Sequence, residues 1–105
     1  MQTTLLGKLK DALATGELDS DVKGDVVFEM FQIVAKNNSC KMGLDRDQWI
    51  DAVEYAFRLF LVGWKNIVEK VNNEALTSSS SAEFHKKLYV LCLNACQIER
   101  RKAGF

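Results

Sequence analysis

Residues 55–64 read YAFRLFLVGW, ten positions holding one charge, Arg58, and one helix-weakening residue, Gly63. The apolar character extends both ways at helical spacing, from Asp45 to about Val71. A helix apolar over most of its circumference needs cover on several sides, from its own domain or from a second copy. One row, Trp49, Val53, Ala56, Phe60, Gly63 and Ile67, repeats at four-three spacing. A second row, Ile50, Phe57, Leu61, Trp64, Val68 and Val71, runs one residue on and is broken only at Glu54. Two adjacent seams predict contact with at least two neighbouring helices. At 1.5 Å per residue a helix over 45–72 is about 40 Å long, long enough for its far end to be expected to project into another chain.

The start of this helix is equally legible. Asp45-Arg46-Asp47-Gln48 fits a capping box, and Leu44 with Trp49 fits the hydrophobic staple that often accompanies one. Upstream, VVFEMFQIVA at 26–35 predicts a second, nearly buried helix over 21–36, capped by Asp19 or Ser20 and ended by the turn-favouring Asn37-Asn38-Ser39. A first helix is expected over 4–14, with Leu5, Leu6, Leu9 and Leu13 on one stripe and Gly16 as a left-handed stop. Downstream, the serine-rich stretch after Asn72-Asn73 reads as a flexible connection over 73–80. Ser80-Ser81-Ala82-Glu83 fits a second capping box. It would open a last helix over 81–102, with Phe84, Leu88, Leu91, Ala95 and Ile98 at four-three spacing. The prediction is a single all-α domain spanning residues 1–105, a bundle of four main helices organised around the long one.

Composition supports that class. The chain has 105 residues and no proline, with hydrophobic residues at 48% and charged residues at 27%, which is globular rather than disordered. Net charge is zero, so no global field draws the chain to nucleic acid or membrane. The distribution is uneven: residues 1–54 carry six Lys/Arg and ten Asp/Glu, residues 55–105 eight and four, so the halves stand near −4 and +4. The opening segment lacks the pattern of a signal peptide, and no apolar run reaches the ~20 residues of a membrane span. The three cysteines, none in a CxxC, are expected to be reduced thiols in a cytoplasmic or nuclear protein.

The chemistry-bearing residues make no decisive motif. His85, Cys92 and Cys96 share one helical face, and Cys40 would complete a Cys3His set. Cysteines on helices are more often small core residues, so neither metal nor cofactor is expected. A Cys–His nucleophile lacks a glycine-rich oxyanion loop, and the chain reads as a non-enzyme with no small-molecule substrate. Residues 37–48 have an EF-hand cadence, but Asn37, Ser39, Lys41 and Gln48 occupy ligand positions, which excludes a calcium site.

Two surfaces remain. The apolar surplus of the long helix predicts a partner interface at Phe57, Phe60, Leu61, Trp64 and Val68, serving a homodimer or a docked protein helix. Alternatively Arg58 and Lys65, two turns apart on its polar strip, combine with Lys86, Lys87, Arg100, Arg101 and Lys102 to grip duplex RNA by shape. Glu54 and Glu69, each four residues from one of that pair, offer local ion pairing instead.

Gly16-Glu17-Leu18, Val22-Lys23 and Val62-Gly63-Trp64-Lys65 loosely resemble motifs of the helical domain shared by the steroid receptor RNA activator protein and a COPII outer-coat subunit. Phe60 stands where that pattern has tryptophan and Asn66 where it has arginine, and the intervening segment does not align. The resemblance spans about half the chain and assigns no family; it implies a helical interaction module.

Overall fold

The computed structural model describes residues 5–37, 43–71 and 78–102, the side chains of 78–81 excepted. They form four α-helices: α1 Leu5–Thr15, α2 Ser20–Asn37, α3 Arg46–Lys70 and α4 Ser78–Lys102. No strand occurs among the described residues, so the protein is the all-α bundle that its apolar spacing predicts.

Local chemistry sets the helix ends. Gly16 adopts φ 81°, a left-handed conformation that glycine takes without a Cβ clash. Its N–H donates to the Ala12 carbonyl at 2.8 Å, closing α1. Asp19 caps α2, its Oδ1 accepting from the Val22 N–H at 2.8 Å. The box at the head of α3 is complete: the Gln48 N–H donates to Asp45 Oδ1 and the Asp45 N–H to Gln48 Oε1, both at 2.9 Å. Leu44 is buried beside it, and the Trp49 indole N–H donates to the Leu44 carbonyl at 2.8 Å. This joins the expected staple pair by a hydrogen bond. Replacing Asp45 with alanine removes one half of the box and is expected to cost about 1 kcal/mol. On a domain of this size that is a fall in Tm of roughly 4–8 °C. Thermal melts of Asp45→Ala and Asp45→Asn check it, since asparagine can still accept the Gln48 bond.

The core runs the length of the bundle. Leu6 and Leu9 of α1, Val26, Met30 and Val34 of α2, Phe60 and Val68 of α3, and Leu88 of α4 are all buried. Phe60 and Phe84 meet edge to face at 6.5 Å between ring centroids, and Phe31 meets Trp49 the same way at 6.4 Å. Lys8 Nζ donates to Asp25 Oδ2 at 2.7 Å, tying α1 to α2 at the surface. That bond, and then the attraction of the Asp25 charge, hold the Lys8 ammonium above the usual lysine value.

Three expectations change. First, the far end of α3 does not stand clear of its own domain. It has 25 residues and so does α4, and the whole molecule measures 44 × 25 × 23 Å. The head of α4 lies by the tail of α3, where Asn66, Ile67, Glu83 and Leu91 line one recess. The tail of α4 lies by the head of α3, where Asp51, Tyr55, Glu99 and Lys102 line another. The two helices are antiparallel and cover each other. Val68 and Val71, at the far end, are wholly buried. Second, α4 starts at Ser78 rather than 81, so Ser80 lies inside its first turn and is not the cap of a box. First-turn N–H groups have no partner four residues back, and serines occupy that turn without breaking a helical bond. Third, of the connection expected over 73–80, residues 78–80 are helical and 73–77 lie outside the described residues.

Candidate interaction surface

The two seams of α3 have different fates. In the first, Val53, Ala56 and Phe60 are buried, with Trp49, Gly63 and Ile67 partly so. In the second, Trp64, Val68 and Val71 are buried, Phe57 is half-buried, and Ile50 and Leu61 are exposed. Of the five side chains expected to meet a partner, Phe60, Trp64 and Val68 therefore point into the domain's own core. Helices α1, α2 and α4 cover the first seam and the far part of the second, from Trp64 to Val71, because α4 is as long as α3.

Besides Ile50 and Leu61, three exposed apolar side chains lie elsewhere on α3. Tyr55, Leu59 and Val62 follow at four-three spacing, which places them on one strip at about 100° per residue. They are 37%, 40% and 89% exposed. Asn66 continues the strip without charge and lines one groove with Val90 and Leu91 of α4. Val90 is itself exposed. Leu61, two residues from Leu59, falls on the opposite edge of the helix. The sequence holds a signal for this strip, since Tyr55, Leu59 and Val62 form a third four-three row, but the two longer rows mask it.

The basic residues do not form one row. Arg58 lies 3.8 Å from Glu54, both well exposed, and Lys65 Nζ sits 5.8 Å from the Trp64 ring centroid. Lys102 pairs with Glu99 at 3.2 Å and shares a recess with Arg58, Asp51 and Glu54. Lys86 and Lys87 line a recess at the other end with Lys70 and Glu83. Arg100 and Arg101 are exposed near the end of α4, roughly 20 Å along the helix from Lys86 at 1.5 Å per residue. The positive charges are thus split between two ends and interleaved with carboxylates.

The remaining candidates are held in packing or pairing. His85 is exposed and its Nδ1 lies 2.9 Å from Glu29 Oε1, linking α4 to α2. It lines an open groove of about 740 Å³ with Glu29, Gln32, Ile33 and Tyr89, and none of the described cysteines lines that groove. Cys92 and Cys96 are reduced thiols buried in the core, and Cys92 Sγ approaches the Met30 carbonyl at 3.8 Å. Cys40 lies outside the described residues. Among the described residues no three His, Cys, Asp or Glu side chains are grouped to hold a metal ion, and no helix is long and apolar enough to cross a membrane.

Burial pushes the Cys92 thiol up to about 12, with the nearby Cys96 and Glu29 adding to the rise. An unfolded cysteine ionises near 8.5. Between those values the native state binds the extra proton, so this group makes stability fall as pH rises from about 9 toward 12. At pH 8 the native thiolate fraction is depressed about a thousandfold. In a Cys40→Ser chain, a disulfide reagent at pH 8 is expected to label Cys92 only at the rate of opening, and at once in denaturant. Fast native labelling would show that the thiol is not packed.

No protein-family model matches the chain, and comparison with curated proteins and with solved structures returns no significant match.

Proposed function

We propose that this protein is a non-enzymatic helical interaction module that self-associates through the exposed apolar strip of α3. The observation that carries the reading is the strip itself. Tyr55, Leu59 and Val62 lie outside the core on a helix whose opposite face is buried, and the apolar surface they leave exposed contributes nothing to the packing of this copy. Burying such a strip against another helix is favoured by about 25 cal/mol per Å² of apolar surface removed from water. An uncharged asparagine prolongs it rather than a lysine or glutamate, which keeps the desolvation cost of a helix–helix contact low.

Light scattering over a concentration series tests this directly. The expected result is a mass that rises from 11.9 kDa toward twice that value between roughly 1 μM and several hundred micromolar. A strict monomer over the whole range rejects the proposal. The same series with short duplex RNA addresses the nucleic-acid reading. Salt-dependent retention of the duplex, lost in Arg58→Ala and Lys65→Ala, would replace self-association with RNA binding as the function. No specific feature of the arrangement favours that outcome, because the basic side chains are divided between two ends.

A further inference from the structure

Gly63 lies well inside α3. A glycine there weakens a helix relative to alanine, because it loses the most backbone freedom on folding. Two local demands can hold a glycine in such a place: a left-handed backbone, or a neighbour too close for a methyl group. Neither operates here. The positive-φ glycines among the described residues are Gly16 and Gly43, so the backbone at Gly63 suits any residue. Beyond the adjoining backbone of its own helix, no described atom comes within 4 Å of the place a Cβ would take. The folded domain thus leaves an open notch over Gly63, which is itself partly exposed. In steps of 100° per residue, Leu59, Val62, Gly63 and Asn66 fall within an arc of about 100°. Val62, 89% exposed, stands at one edge of that arc and the notch at the other. The apolar strip is therefore a ridge beside a notch.

We infer that Gly63 sets the close approach of α3 to the same helix of a second copy, whose apolar side chains enter the notch. The inference rests on the self-association proposed above and adds the residue that governs its fit. Helices pack by ridges entering grooves, and this strip carries a projecting side chain and an empty place on one face. It holds both halves of such a contact, so it can serve as its own partner. Charge agrees with that occupant. Near a two-fold axis a side chain meets its own twin, and a charge there would confront its like. Leu59, Val62, Gly63 and Asn66 are all uncharged. Arg58 and Lys65 fall outside their arc, and Lys70 lies a full turn beyond Asn66.

Substitution at Gly63 reads this out, because fold and contact should respond in opposite directions. In dilute solution Gly63→Ala is expected to raise Tm by about 4–8 °C, the usual gain from alanine inside a helix. By light scattering the same change is expected to weaken the dimer about tenfold, since a methyl group is forced into a packed contact. Gly63→Leu fills the notch and should weaken it about a hundredfold with helical content by circular dichroism intact. Gly24 is the control. It lies inside α2, and again no described atom comes within 4 Å of its Cβ position. Gly24→Ala should raise Tm likewise and leave the dimer unchanged. A dimer as tight in both Gly63 variants as in wild type overturns the inference and leaves self-association standing. Equal weakening by Gly24→Ala overturns it too, since the effect would not belong to the notch. So does a Tm lowered by Gly63→Ala, because the fold itself would then need the bare position. A wild-type chain that stays monomeric removes self-association and this inference together.

Discussion

Phe60→Ala is expected to destabilise the fold by about 3–5 kcal/mol, the cost of emptying a buried phenylalanine site. Phe60 is 0% exposed and its ring meets Phe84 edge to face, so its loss leaves a cavity bounded by two helices and orphans one aromatic contact. Domains of this size are stable by only about 5–15 kcal/mol. At roughly 4–8 °C per kcal/mol the melt should move down by about 12–40 °C. Val62, two residues on, is the internal control. It is 89% exposed, and Val62→Ala should change stability by no more than about 0.5 kcal/mol. Urea titrations of the two variants decide the orientation of α3. Similar losses at both positions would mean that the helix is rotated from the arrangement described.

The opposite contrast is expected for association. Leu59→Glu combined with Val62→Glu places two carboxylates on the strip and should raise the dimer dissociation constant more than about a hundredfold, since an unpaired charge buried at an interface costs several kcal/mol. The monomer should keep its helical content, because neither side chain belongs to the core. Phe60→Ala acts through the monomer and reduces dimer only as it unfolds the chain. Sedimentation at a fixed concentration, together with circular dichroism, distinguishes the two effects. A double variant that unfolds would assign the strip to the protein's own packing. One that folds and still dimerises would assign the interface to another face.

Much of the fold is legible in the sequence because its signals are local. Asp45 and Gln48 form their reciprocal bonds across three residues, and Gly16 needs only its own backbone to end α1. Such features depend on nothing distant. The start of α4 reads three residues late in the sequence because Ser80 has the chemistry of a cap and equally that of a first-turn residue. The candidate surface is harder to read. Periodicity shows that Phe60, Trp64 and Val68 lie on apolar seams, but not which neighbour covers a seam. That is decided by the length of α4, whose antiparallel course brings Phe84 and Leu88 into the core that Phe60 and Val68 also fill. A shorter row, Tyr55, Leu59 and Val62, is left outside instead. The two recesses between these helices combine Lys70 of α3 with Lys86 of α4, and Asp51 of α3 with Glu99 of α4. Only the pairing of those helices brings such residues together.

The two longest helices are also consecutive along the chain. Their contact can close as an antiparallel hairpin without waiting for the N-terminal helices, so little loop entropy opposes it. Chains dominated by such sequence-local contacts fold in microseconds to milliseconds. The α3–α4 hairpin is therefore suited to act as the nucleus onto which α2 and then the eleven-residue α1 condense. The surface proposed for self-association belongs to this hairpin, so on that proposal it would be assembled before α1 has docked.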